Sequence, residues 1–155
     1  VTLRLFSPFG PYDDHRRLIS RVILDLLLGR EINLGDPNVV RDYVFIDDVI
    51  DLLIETISGT TNFNGEIFNV GSGHESKIIN VVNLIVQSIN PKTEIKWHQN
   101  PNQSRESQRW EADTAKIFDN FKWRPKHSLE EGIKKTIDWF KRNKNLYNQF
   151  FPSRS

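Results

Sequence analysis

Residues 39–48 read VVRDYVFIDD, a run of strand formers that ends in two carboxylates. Val40, Tyr43, Val44, Phe45 and Ile46 are β-branched or aromatic, which predicts a strand through about residue 46. With side chains alternating, Arg41, Tyr43 and Phe45 share one face and Asp42, Val44 and Ile46 the other. Directly afterwards Val49, Ile50, Leu53, Ile54 and Ile57 recur at helical spacing, a wide apolar stripe that predicts a helix closed by SGTTNFNG. Asp47 and Asp48 are placed to cap that helix, where the dipole favours negative charge; metal ligation or general-acid work is the competing reading. Arg41 also admits two roles. A planar guanidinium can clasp an anionic ligand, or it can form a surface pair with Asp42 or Asp47.

Strand and helix keep alternating in both directions. Upstream, EINL is a short strand joined to this one by a tight GDPN connection. Leu18, Ile19, Val22, Ile23, Leu26 and Leu27 predict a helix over about 16–28 with Gly29 at its C-terminal end. VTLRLF is a further strand, ended by Pro8, Gly10 and Pro11. Downstream, EIFNVGSG reads as a strand and a Gly-flanked turn; Ile79, Val82, Val86 and Ile89 mark a helix, and PKTEIKW another strand. Residues 98–108 are polar and without period, the best place for a ligand-ordered loop. Asp113 can cap a short helix TAKIFDNF, and Pro125 interrupts KWRPKH. Ser128 and Glu131 have capping-box spacing ahead of a helix over about 129–143. The expected fold is α/β with some parallel pairing.

A chain of 155 residues suits one domain, so 1–155 is expected to fold as a single unit. The 21 basic and 20 acidic side chains leave a net charge of +1, without a global field to gather nucleic acid or an anionic membrane; neither is an expected partner, and any anion site is local. Zero cysteines remove disulfides, thiolate catalysis and sulfur-ligated zinc, and fit a reducing compartment, with the cytoplasm as the expected location. The longest apolar run, VILDLLLG, contains Asp25 and is far shorter than the roughly 20 residues of a membrane span. Asp13, Asp14 and His15 supply two hard ligands and an imidazole, but three successive side chains rarely converge on one ion, and a solvated loop competes with a metal site. NVGSG could cradle a phosphate on backbone N–H groups, yet it lacks a following Lys-Ser/Thr and the G-x-G-x-x-G spacing, which favours a plain turn. The chain opens in mid-strand without methionine and reads as cut from something longer.

Four blocks in this order, LRLFSPFGP, RDYVFIDDVIDLL, EIFNVGSG and WRPKHSLEEGIKKTIDWF, resemble the C-terminal half of the extended short-chain dehydrogenases/reductases that act on nucleotide sugars, the NAD-dependent epimerases and dehydratases. The resemblance covers about residues 1–142 and is specific to the superfamily rather than to one reaction. It implies truncated Rossmann-type parallel strands plus the small mixed α/β substrate-binding part of such an enzyme. In relatives the first block passes beside nicotinamide and substrate, which implies Phe6 at the cofactor and Ser7 at the substrate. Ser7 stands where relatives usually carry Asn, and Phe9 where they carry Tyr; serine keeps a donor and an acceptor at shorter reach. Arg41 matches the arginine that contacts the diphosphate. Leu18 and Ile19 fall on the helix that lines the nucleotide pocket and can touch the base or serve as core. Asn69 lies near the substrate phosphate or sugar in some relatives. Arg105 and Arg109 are both candidates for a second phosphate-binding arginine, or else solvated loop charges.

The same family needs a Gly-rich dinucleotide turn and a Tyr-x-x-x-Lys pair, and neither is in this sequence: four residues after Tyr12, Tyr43 and Tyr147 stand Arg16, Asp47 and Phe151. In such enzymes the tyrosine acts as acid/base on a sugar hydroxyl while hydride passes to nicotinamide. This chain is therefore not expected to carry the reaction alone or to bind NAD or NADP tightly. Three functions stay open: the substrate-side portion of a nucleotide-sugar epimerase or dehydratase, UDP-glucose 4-epimerase-like in class, whose N-terminal cofactor-binding half is absent; a free-standing nucleotide-sugar binding module; and a non-catalytic remnant. If VTLRLF and EIFNVG belong to the cofactor domain's parallel sheet, their exposed edges favour self-association.

Overall fold

Val44 and Phe45 are neighbours in the chain, yet in the computed structural model they enter two different hydrophobic cores. The structure describes residues 1–59, 63, 65–98 and 109–150. In chain order its elements are β1 (Thr2–Leu5), β2 (Pro8–Phe9), α1 (Leu18–Leu27), β3 (Ile32–Leu34), β4 (Val40–Asp42), β5 (Val44–Phe45) and α2 (Ile46–Ser58). They continue with β6 (Ile67–Val70), β7 (Glu75–Lys77), α3 (Ile78–Ile89), β8 (Ile95–Trp97), β9 (Arg109–Trp110), α4 (Ala115–Asn120), α5 (Leu129–Asn143) and a 3₁₀ segment, Lys144–Phe150. Phe45 joins a core built from α1, α3 and α5 with Phe9, Ile32 and Leu34; Val44 joins Val49, Leu52, Phe68, Val70, Ile117, Phe121 and Trp123 in the other. Ile46 packs against both, so the strand-to-helix junction is the seam of the molecule.

Parallel pairing dominates: β1 with β6, β2 with β5, β3 with β8 and β4 with β9, while β4 and β7 are antiparallel. The long strand expected through residue 46 is broken at Tyr43, and its two pieces lie in different sheets. GDPN does not fold EINL back on the next strand either; β3 pairs with β8, and Asn38 N–H donates to Asp36 Oδ1 at 2.8 Å within the turn. The two- and three-residue strands β2, β7 and β9 were not expected, because segments so short carry no periodic signal and exist only through their partners' backbone groups.

Helix ends follow local chemistry. Leu28 and Gly29 close α1 in a Schellman arrangement: Arg30 N–H donates to the Asp25 carbonyl at 2.8 Å, Gly29 N–H to that of Leu26 at 3.3 Å, and Gly29 has φ +65°, where glycine has no steric penalty. Ser128 and Glu131 form the expected capping box of α5. Asp47 and Asp48 do not cap α2: the N-cap is Phe45, with no side-chain cap bond, and both acids sit inside the first turn. Their charge still meets the positive end of the helix dipole. Asp113, expected as a cap for α4, stands one residue before the cap and accepts from Ala115 N–H at 3.1 Å.

The apolar stripe of α2 is only partly covered. Val49 and Leu52 are buried, whereas Ile50, Leu53, Ile54 and Ile57 face outward, Ile57 with 82% of its surface exposed. Leu5 and Ile67 on β1 and β6 are also exposed. The apolar arc of α2 is wider than the core it meets, so part of it faces outward. Among the described residues, no helix is long and apolar enough to cross a membrane.

Candidate functional site

The three-stranded sheet β7-β4-β9 sets Arg41 opposite Ser76 on one side and Trp110 on the other. Register partners point to the same face, so Arg41 and Trp110 stand together and Val40 and Arg109 face the other way. The Arg41 guanidinium carbon lies over the Trp110 ring, 5.8 Å from its centroid, and Nη1 donates to the Val40 carbonyl at 2.8 Å. Phe6 meets the same indole edge-on at 5.9 Å. Phe6 N–H donates to the Val70 carbonyl at 2.8 Å, which extends the β1–β6 ladder by a residue and puts the Phe6 side chain on the face of Arg4. There Arg4, opposite Asn69 in register, donates through Nη1 to Asn69 Oδ1 at 3.3 Å. Arg41 and Phe6 thus meet through Trp110, with Asn69 on the neighbouring strand β6, opposite Arg4.

Ser7 links the β1–β6 sheet to the β2–β5 sheet. Its φ of +32° is unusual for a residue with a side chain, and its carbonyl accepts from Val44 N–H at 3.4 Å, tying the end of β1 to β5. Arg109 is separated from Arg41 by the thickness of the sheet; its guanidinium meets Glu75 at 2.6 Å and Glu111 at 2.9 Å. Ile19 is 2% exposed within the core, and Leu18 packs against the same core partly buried. Arg105 lies outside the described residues.

The NVGSG turn does cradle an anion, and that anion is Asp42. The Asp42 carboxylate is fully buried and accepts from Ser72 N–H at 2.7 Å, Ser72 Oγ at 2.6 Å, Gly73 N–H at 3.1 Å and Ala112 N–H at 3.4 Å. Gly71 is glycine for lack of room: a Cβ there would stand 2.3 Å from Asp42 Oδ2 and 2.6 Å from the Ala112 Cβ. The glycines signalled an anion cradle, but not that the anion came from the strand 30 residues earlier. Because Ser72 and Gly73 spend their N–H groups on Asp42, the turn does not fit the pyrophosphate of NAD.

Two clusters lie apart from this site. Asp48, 1% exposed, accepts from His127 Nδ1 at 2.9 Å and His127 N–H at 3.2 Å, while its carbonyl accepts from Trp123 Nε1 at 2.7 Å. His127 Nε2 then faces Lys135 Nζ at 2.7 Å, and Asp47 lies 3.9 Å from the same ammonium. The carboxylates considered as surface partners of Arg41 therefore serve elsewhere, Asp42 in the turn and Asp47 beside Lys135. In the DDH loop, Asp13 lies 3.4 Å from Arg17 and accepts from Ser20, and the Arg16 guanidinium holds Asp14 well below the usual carboxylate range. Among the described residues, no group of three or more His, Asp or Glu can hold a metal ion.

Between Arg41 and Val44, the Tyr43 hydroxyl is pushed up to about 12 by burial, against the pull of Arg41 and Arg17. In the unfolded chain the phenol titrates near its ordinary value of about 10. As pH rises from about 10 to 12 the unfolded state loses this proton before the folded state does. The folded state should then lose up to roughly 2 to 3 kcal/mol from this residue. Melting curves between pH 9 and 12 are expected to fall less steeply for Tyr43→Phe than for the natural chain; parallel curves would show that the phenol is not shielded.

A profile of the GDP-mannose 4,6 dehydratase family matches residues 1–136. The dTDP-glucose 4,6-dehydratase of Escherichia coli is 31% identical over 147 residues, a match covering 88% of this chain and 39% of that protein. UDP-glucose 4-epimerase of Thermotoga maritima, solved with UDP-glucose, superposes with a TM-score of 0.81 at 27% identity over 91% of this chain and 45% of that one. A dTDP-glucose 4,6-dehydratase of Bacillus anthracis, solved with NAD, shares the fold with a TM-score of 0.80 at 23% identity, covering 92% of this chain and 45% of that one. The chain spans less than half the length of these relatives. With its profile match running from β1 into α5, the chain belongs to the GDP-mannose 4,6 dehydratase family, among the extended short-chain dehydrogenases/reductases that epimerise or dehydrate nucleotide sugars.

Proposed function

We propose that this chain is the substrate-binding portion of an NAD- or NADP-dependent nucleotide-sugar epimerase or dehydratase, UDP-glucose 4-epimerase-like in class, and that Arg41 takes the substrate's diphosphate. The observation that carries the reading is the placement of Arg41 on one face with Trp110 and Phe6, inside the stretch that the family profile matches. A guanidinium there can offer paired N–H donors to phosphate oxygens. Ser7, just past β1, and Asn69 on β6 would supply polar groups for sugar hydroxyls or phosphate. Arg109, held by two glutamates on the far face, is left out of the binding set.

Cofactor chemistry falls to a cofactor-binding half, which would supply the Gly-rich turn and the Tyr-x-x-x-Lys pair that these 155 residues lack. Two exposed features suit such a neighbour: the outer stripe of α2, Ile50, Leu53, Ile54 and Ile57, and the open edges of the two-stranded β1–β6 sheet. In its absence the same surfaces favour self-association of this chain.

Titration with UDP, GDP, CDP and dTDP sugars, followed by heteronuclear NMR, tests the reading. Saturable shifts for one nucleotide class are expected at Ser7, Arg41 and Trp110. Shifts for none of the four at millimolar ligand would overturn the proposal that this chain by itself binds substrate.

A further inference from the structure

Among the described residues, Trp110 stands outside the packing that forms the two cores. It lies on a two-residue strand, leaves 54% of its surface open and belongs to neither hydrophobic core. A half-exposed indole with a guanidinium over its face is placed to act on that side chain. The neighbours of Trp110 hold it in place. On the far face of the sheet Arg109 reaches across β4 to Glu75 on β7 and also pairs with Glu111, while the β4–β9 ladder fixes the backbone. On the near face the Trp110 ring then has the Phe6 edge on one side and the Arg41 guanidinium over it.

We propose that Trp110 is a positioning residue for Arg41, an inference that rests on reading Arg41 as the diphosphate ligand. The negative face of an indole attracts a guanidinium and limits where the long arginine side chain can go. With Nη1 also donating to the Val40 carbonyl, a guanidinium held over the ring has fewer orientations open to it. An anion that binds Arg41 then has fewer side-chain orientations to select among. Less side-chain freedom is lost on binding, and affinity rises without Trp110 touching the ligand.

The test uses the whole chain, with UDP-glucose as probe and Trp110→Leu, Trp110→Phe and Arg41→Ala as variants. Without ligand, ¹⁵N relaxation of the Arg41 Nε–Hε group is expected to show increased motion in Trp110→Leu and unchanged order in Trp110→Phe. With ligand, Trp110→Leu should weaken UDP-glucose by about three- to fivefold, Trp110→Phe should restore most of it, and Trp110→Leu should change nothing further in the Arg41→Ala background. An Arg41 Nε–Hε group indifferent to Trp110→Leu overturns the inference. So does an equal loss of affinity in both backgrounds, which would make Trp110 a direct ligand contact. If the natural chain fails to bind UDP-glucose while Nε–Hε still responds to Trp110→Leu, the positioning contact stands and the substrate reading fails.

Discussion

Replacing Asp42 with alanine is expected to destabilise the fold by about 3 to 5 kcal/mol and to lower its melting temperature by roughly 10 °C or more. The carboxylate is fully buried and accepts from four donors on two separate segments, Ser72–Gly73 and Ala112. Truncation leaves the N–H groups of this packed turn without acceptors, at about 1 to 3 kcal/mol for each one that water cannot reach. A typical domain has only about 5 to 15 kcal/mol in hand, so much of the chain would unfold at physiological temperature. Asp42→Asn keeps the shape but turns one acceptor oxygen into a donor facing N–H groups, and should lose about half as much. Asp47→Asn, at an exposed residue 3.9 Å from Lys135, should stay within about 0.5 kcal/mol of the natural chain. Denaturation curves for the three variants decide the matter. Asp42→Asn melting with the natural chain would mean that the carboxylate does not hold the turn.

Arg41→Ala is expected to weaken the nucleotide sugar by about tenfold to a hundredfold, since one or two charge-assisted bonds to phosphate contribute roughly 1.5 to 3 kcal/mol each before losses to solvent. Arg41→Lys keeps the charge but not the planar fork, and should fall between the two. The effect on folding should be small by comparison, because the guanidinium donates to the carbonyl of its own neighbour Val40 and lies over the half-exposed Trp110 ring. Titration calorimetry or NMR at two salt concentrations separates these outcomes. Loss of affinity with an unchanged melt identifies a ligand contact; loss of the melt with it identifies a structural arginine. Unchanged affinity in Arg41→Ala would remove the diphosphate role.

The sequence by itself determined the pieces whose energetics are local. Helical spacing placed α1, α2 and α3; Gly29 marked an end where φ turns positive, and Ser128 with Glu131 marked the start of α5, where two side chains answer unpaired N–H groups. The ordered blocks were also legible as a family pattern, which the match over residues 1–136 bears out. What only the tertiary structure decided is everything that depends on groups far apart in the chain. Asp42 looked like a surface partner for Arg41 and is a buried acceptor, because the donors that make its burial tolerable lie 30 and 70 residues away. Asp48 looked like a helix cap and instead orients His127, 79 residues on. The apolar stripe of α2 predicted a helix correctly, but hydrophobicity has no direction, and which side would find a partner depended on the packing of Phe68, Ile117 and Phe121. Trp110, just past the polar stretch 98–108, acquires meaning only when a parallel ladder lays it beside Arg41. Propensity and capping act within a few residues of the chain, whereas strand pairing, buried charge and ring contacts act across it.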